Sequence, residues 1–255
     1  MHFLTLVFGD NADAQLAPFL ENNDGSCAPE NLAFFECGPE YREVYENGIF
    51  DAPRDGDRHH KLIRDLFPTF EAFMDEEHGP RDERTGLYGD WYNSNAEYDW
   101  YEVGGRWTGH LVLKPGRPGR LGSPAPRTKA AGAGRADVAC KGDIDFAAMG
   151  RECRERFLTL WKNLERCAKT GDRRVKEDCD IPESIVTRAQ LVDYAEQRSR
   201  CCAPAAVVHN GEWFGPWWAK DELTEAAAKI WDAWFSDLLA SFPDETLITV
   251  IDCHT

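Results

Sequence analysis

Residues 3–8, Phe-Leu-Thr-Leu-Val-Phe, form a short apolar run that stops at Gly9-Asp10. A run of this length, rich in β-formers and bounded by turn residues, reads as a buried strand. The pattern returns at residues 246–252, Thr-Leu-Ile-Thr-Val-Ile-Asp. Neither run carries a charge in its interior, which suits a central place in a sheet covered on both faces. Together they predict one sheet that holds both terminal strands. Residues 205–209 and 212–214 flank Asn210-Gly211. Asn-Gly supplies the positive φ angles of a type I′ turn, so this segment predicts a hairpin. Trp107 to Leu113 is a further strand candidate.

Longer segments repeat at helical spacing. Residues 58–75 carry Leu62, Ile63, Leu66, Phe70 and Phe73, with Pro68 expected to break or kink them. Residues 147–168 set Met149, Cys153, Phe157, Leu160, Trp161 and Leu164 on one face, where Cys153 reads as a packing residue. Asp145 stands before them as a cap. Pro182 opens a helix to about residue 199 on Ile185, Ala189, Val192 and Ala195. Residues 221–241 set Leu223, Ala227, Ile230, Trp234 and Leu238 on one stripe, closed by Pro243. The expected fold class is α+β. A single domain over residues 1–255 has a central, mainly antiparallel sheet with packed helices.

Residues 115–136 break the pattern. They are rich in Pro, Gly and Ala, with five basic residues (Arg117, Arg120, Arg127, Lys129, Arg135) and no acid. Little there can enter a core, so a flexible basic insertion is expected, dispensable to the fold. Without those five, 24 basic residues face 45 acidic ones in the remainder. The segment reads as a solvated insertion held against an acidic body, or as an arm that touches phosphates or an acidic partner.

The formal net charge of −16 and a pI near 4.8 argue against general duplex binding, which needs a basic footprint. No apolar run approaches the ~20 residues that span a bilayer, so no membrane contact is expected. The N-terminus lacks a basic region and reaches Asp10 too early for a signal peptide, which predicts a cytoplasmic protein. Nine cysteines occur with no Cys-x-x-Cys pair, which predicts reduced thiols and no zinc site. Neither a metal nor a cofactor is expected.

Three constellations carry candidate chemistry. The densest is Tyr98-Asp99-Trp100-Tyr101-Glu102-Val103-Gly104-Gly105-Arg106-Trp107. Its glycines allow an unusual turn or the close approach of a ligand. Arg106 offers a guanidinium fork for a carboxylate or phosphate. It serves equally as a bridge to a buried acid, with the tryptophans as core. Gly211-Glu212-Trp213-Phe214-Gly215-Pro216-Trp217-Trp218 places three indoles close together, as a core layer or a flat platform for a ring. The chain ends Ile251-Asp252-Cys253-His254-Thr255. Strand alternation puts Asp252 and His254 on one face and turns Cys253 away. Asp252 can then orient a histidine or bind Arg106, which makes Asp252 and His254 the candidate catalytic pair. Asp99, Trp100, Tyr101, Gly104, Gly105, Arg106, Trp107, Trp213, Trp217 and Trp218 form the candidate ligand-binding set.

The opening Met1-His2-Phe3-Leu4-Thr5-Leu6-Val7, the Asp-Trp-Tyr-x-x-Gly-Gly-Arg-Trp run and the terminal Asp252-Cys253-His254 resemble an uncharacterised family of bacteriophage and prophage proteins. The insertion at 115–136 and the final Thr255 depart from that family. The resemblance implies a phage-linked accessory protein of the host cytoplasm, without supplying an activity. Two function classes follow. One is a protein that binds a small anionic, nucleotide-like ligand or inhibits a basic host defence protein. The other is a small hydrolase or transferase that uses Asp252 and His254 with Arg106. An acidic mimic of nucleic acid is a third. The sequence leaves the oligomeric state open.

Overall fold

In the structure, a computed structural model, residues 1–23, 25–54, 57–170, 187–200, 202–215 and 224–255 are described. The elements begin with β1 (His2–Phe8), α1 (Ala12–Leu16), β2 (Ala33–Glu36), α2 (Gly38–Asn47), β3 (Ile49–Arg54) and β4 (Asp57–Leu62). They continue with α3 (Ile63–Leu66), α4 (Phe70–Glu77), β5 (Gly89–Tyr92), β6 (Trp100–Gly105), β7 (Leu111–Val112), β8 (Ser123–Pro124) and β9 (Arg135–Ala136). The last are β10 (Val138–Cys140), α5 (Phe146–Thr170), α6 (Arg188–Arg198), β11 (Ala206–His209), β12 (Glu212–Phe214), α7 (Glu225–Ser241) and β13 (Leu247–His254). The fold is α+β. Backbone contacts divide the chain into two compact units, one of Met1–Phe19 with Glu97–Thr255, the other of Leu20–Ala96. No described helix is long and apolar enough to cross a membrane.

The larger unit is built on a mixed, mainly antiparallel sheet of order β12-β11-β1-β13-β6-β8. The first and last strands are neighbours, antiparallel from His2 opposite His254 to Phe8 opposite Ile248. The far edge of β13 is shared. Its first half pairs with β10 and its second half with β6. The Asn210-Gly211 hairpin forms as its dipeptide predicts, with φ of 53° and 74°.

Alternation sends the two sets of side chains to opposite faces. On one face Leu6, Phe8, Ile248 and Val250 bury against Trp231 and Phe235 of α7 and Met149 of α5. On the other, Phe3, Phe19 and Tyr98 surround the Trp213 indole. Full burial of one such side chain stabilises by roughly 1.5–3 kcal/mol, so these two layers carry the unit. The 3.6-residue stripe of α5 packs Phe157 against Leu191 and Tyr194 of α6. Asp145 caps α5 by accepting from the Ala148 N–H at 2.8 Å. Thr187 and Gln190 cap α6 reciprocally. The predicted starts of the last two helices, at Pro182 and at residues 221–223, lie outside the described residues.

The smaller unit pairs β2 with β5 and β3 with β4. Phe70, Phe73 and Met74 of α4 bury against Cys37 and Tyr88. Residues 58–62, expected to begin a helix, form strand β4 instead. The apolar stripe behind that expectation starts only at Leu62, so the preceding charged residues are available to pair with β3. Pro68 separates α3 from α4, as a proline should. The candidate strand from Trp107 to Leu113 shrinks to Leu111–Val112, because residues 106–109 turn on the Trp107 N–H bond to the Gly104 carbonyl.

The 115–136 segment is irregular, as its composition implies, but its backbone is tied to the sheet. Ser123–Pro124 pairs with β6 and Arg135–Ala136 with β7. The Arg120 N–H donates to the Val138 carbonyl at 2.9 Å, and the Ala125 N–H to the Gly105 carbonyl at 3.0 Å. Two of its cations meet acids of the body, Arg117 with Asp143 and Arg135 with Glu152. Replacing residues 118–126 by a short Gly-Ser linker should therefore destabilise the protein by about 2–4 kcal/mol, since several backbone bonds worth roughly 1 kcal/mol each are lost. Differential scanning calorimetry reads this directly, and an unchanged melting temperature would mark the segment as dispensable.

Candidate functional site

The register of β13 assembles a cluster of ring nitrogens and carboxylates. His254 stands opposite His2 on one side and Trp100 on the other. Asp252, two residues earlier, shares their face. The Asp252 side chain is fully buried. One of its oxygens lies 2.8 Å from His2 Nδ1, and the other accepts the Arg106 backbone N–H at 2.8 Å. His254 Nδ1 lies 2.9 Å from both oxygens of Asp99. The two imidazoles meet edge to face with centroids 4.8 Å apart. The Trp100 indole stacks on His254 at 5.3 Å and meets His2 edge-on at the same distance. Both Nε2 atoms are without a hydrogen-bond partner among the described residues.

Two Asp–His dyads thus lie side by side. A carboxylate on Nδ1 fixes each ring's orientation and tautomer and leaves Nε2 facing outward. Desolvation works against the Asp99 charge, but the hydrogen bond and charge of His254, with two backbone N–H donors, outweigh it. The Asp99 carboxyl is held below the usual carboxylate range. Cys253 faces the other way, and burial pushes its thiol up to about 12. It stays protonated and takes no part.

The double glycine is explained by this cluster and its neighbour. Gly104 and Gly105 have φ of 83° and 50°. A Cβ on Gly104 would lie 2.5 Å from the Asp137 carboxylate, and one on Gly105 would lie 2.4 Å from Asp252 Cβ. Two buried acids lean on the turn, and only glycine leaves them room. Asp137 accepts from Thr108 Oγ1 at 3.0 Å, from the Gly122 N–H at 2.8 Å and from the Gly109 N–H.

Other candidates take different places. Arg106 meets Asp252 through its backbone N–H; its guanidinium is exposed and bridges no buried acid among the described residues. Asp252 orients His2, whereas His254 is oriented by Asp99. Tyr101 lies on the opposite face, where its hydroxyl donates to Asp13 at 2.6 Å and burial raises its pKa. Trp213 belongs to that same face, where it is half-buried against Phe3, Phe19 and Tyr98. Trp107 packs against the main core. Trp217 and Trp218 lie outside the described residues. His2 is a member of this cluster that sequence reasoning missed. Its signal was there: antiparallel pairing of the two end strands on the same face brings residue 2 to residue 254. No group of three or more His, Cys, Asp or Glu side chains is placed to hold a metal ion among the described residues.

A cleft of about 350 Å³ opens elsewhere in the larger unit, between α5, the end of α6 and the turn after β6. His110 lines it, with Nε2 buried and lacking a hydrogen-bond partner. Burial, then the charges of Arg156 and Arg135, push this imidazole down to about 4. The folded protein therefore keeps His110 neutral at pH values where the unfolded chain, near 6.5, binds a proton. Stability from this group is complete above pH 6.5 and is lost as pH falls towards 4. The loss is on the order of 3 kcal/mol over that window. His110→Leu should flatten that limb, so urea unfolding of both proteins from pH 7.5 to 4 checks it; parallel acid limbs would refute it.

Comparison of the chain with family models, with curated proteins and with solved structures finds no match.

Proposed function

We propose that the protein is a phage-linked enzyme of the host cytoplasm that performs acid–base chemistry on a small phosphate ester bearing a flat ring, of nucleotide type. The observation that carries this reading is the pair of Asp–His dyads whose rings lie 4.8 Å apart with both Nε2 atoms available. One neutral imidazole takes a proton from the attacking water or hydroxyl. The other, as imidazolium, gives a proton to the departing ester oxygen. The phosphorus–oxygen bond to the leaving group breaks as the new one forms, and proton exchange with solvent then returns the first imidazole to its neutral form and the second to imidazolium.

Trp100 is 44% exposed beside the dyads and offers a stacking surface for a base. The exposed Arg106 guanidinium, anchored through its own backbone to Asp252, offers a fork for phosphate oxygens. Asp252 and Asp99 act as positioning residues, since each touches a histidine. The test is turnover. The purified protein is incubated with nucleoside monophosphates, cyclic nucleotides and bis-para-nitrophenyl phosphate, and products are followed by chromatography. Product formation that is lost in His2→Gln and His254→Gln supports the reading. Retention of a nucleotide without conversion would make the site a binding site instead.

A further inference from the structure

The arginine-lined cleft holds a second chemistry that the dyads do not use. Cys153 of α5 and Cys202, just after α6, both line it, together with Arg135, Arg156, Arg198 and His110. Both cysteines are thiols and partly exposed. Cys153 packs against the Phe157 cluster, as helical spacing predicts, and also lines the cleft. Arg135 is engaged by Glu152 and the Gly109 carbonyl, and Arg198 by Asp232 and the Ala203 carbonyl. Arg156 pairs with no carboxylate among the described residues, and its guanidinium lies 5.5 Å from the Phe157 ring. The cleft thus offers one uncommitted guanidinium beside two neighbouring sulfurs.

We propose that Cys153 and Cys202 are a thiol–disulfide exchange pair whose substrate is a small disulfide carrying carboxylates, drawn into the cleft by Arg156. The Cys153 thiolate attacks one sulfur of that disulfide. Its sulfur–sulfur bond breaks, and one thiolate leaves and takes a proton from solvent. Cys202 then gives up its proton and attacks Cys153 in the mixed disulfide, which releases the second thiol. Two protein thiols are oxidised to one disulfide and the external disulfide is reduced to two thiols. Cys153 and Cys202 line the same cleft, and a Cys202 hydrogen bond is the largest influence lowering the Cys153 thiol. That bond and the charges of Arg156 and Arg198 outweigh desolvation and hold the Cys153 thiol below its ordinary range, which favours the thiolate that attacks. The resulting bridge would tie α5 to the end of α6.

The experiment exposes the full chain, reduced and then freed of reductant, to glutathione disulfide or to cystamine, a cationic disulfide. Intact mass and peptide mapping follow the products. The expected result is loss of two hydrogen masses at a Cys153–Cys202 bridge, reversed by dithiothreitol. Cys202→Ser should accumulate one glutathione on Cys153. Arg156→Ala should slow the reaction with glutathione disulfide severalfold more than the reaction with cystamine, which feels only the smaller thiolate fraction of Cys153. Three results overturn the proposal: a Cys153 that reacts no faster than a thiol of the urea-unfolded chain, a bridge that maps to other cysteines, or equal sensitivity of both disulfides to Arg156→Ala.

Discussion

Asp137→Ala is expected to be the most destabilising single substitution outside the apolar core. The carboxylate is fully buried and accepts from Thr108 Oγ1 and from the backbone N–H groups of Gly109 and Gly122. Removing it orphans three donors in a space closed by Gly104. Each buried, unsatisfied donor costs about 1–3 kcal/mol, so a total on the order of 3–5 kcal/mol follows once partial rehydration is allowed. For a chain of this size that is a fall of roughly 10 °C in melting temperature. Asp137 also ties the 115–136 segment to β6, because Gly122 and the Gly104 turn meet on its side chain. Thermal unfolding of Asp137→Ala checks the value. A melting temperature within a degree or two of the parent protein would show that Asp137 is not the hub of this turn.

The parts of this fold that were legible in the sequence are those written in local patterns. Phe3 to Phe8 and Leu247 to Asp252 announce themselves as core strands because both faces of their sheet are buried. Asn210-Gly211 fixes its hairpin through backbone conformation alone. The α5 stripe and the Asp145 cap are equally local. What stayed hidden depends on register or on the backbone. Arg106 was singled out for its guanidinium, yet the contact to Asp252 is made by its N–H, which any non-proline residue possesses. Asp137 sits in an unremarkable Ala-Asp-Val stretch, and its partners are 28, 29 and 15 residues away. The insertion is pinned by main-chain bonds, which Pro, Gly and Ala content cannot reveal. Within the site, the face shared by Asp252 and His254 followed from alternation. The carboxylate belonging to each histidine did not, because it depends on how three strands align.

Replacing either histidine of the edge cluster should have the largest effect on activity. His2→Gln and His254→Gln each remove one partner of the proton exchange and keep a polar side chain of similar reach. General acid–base catalysis contributes about a hundredfold to ten-thousandfold, so each variant should lose a comparable factor in kcat/KM. Both histidines are partly exposed. Their loss should therefore leave the melting temperature nearly unchanged, which separates a chemical role from a structural one. Asp252→Asn and Asp99→Asn should lose less, because they disturb the orientation of a ring rather than remove it.

The most direct test of the two-histidine account is the pH dependence of kcat/KM for the nucleotide or phosphodiester that is turned over. The parent protein should give a bell, with one limb for the imidazole that must be neutral and one for the imidazolium. His2→Gln and His254→Gln should each abolish one limb, and they should abolish different limbs. A bell that survives intact in both variants, or full activity in either, would contradict a site built on His2 and His254.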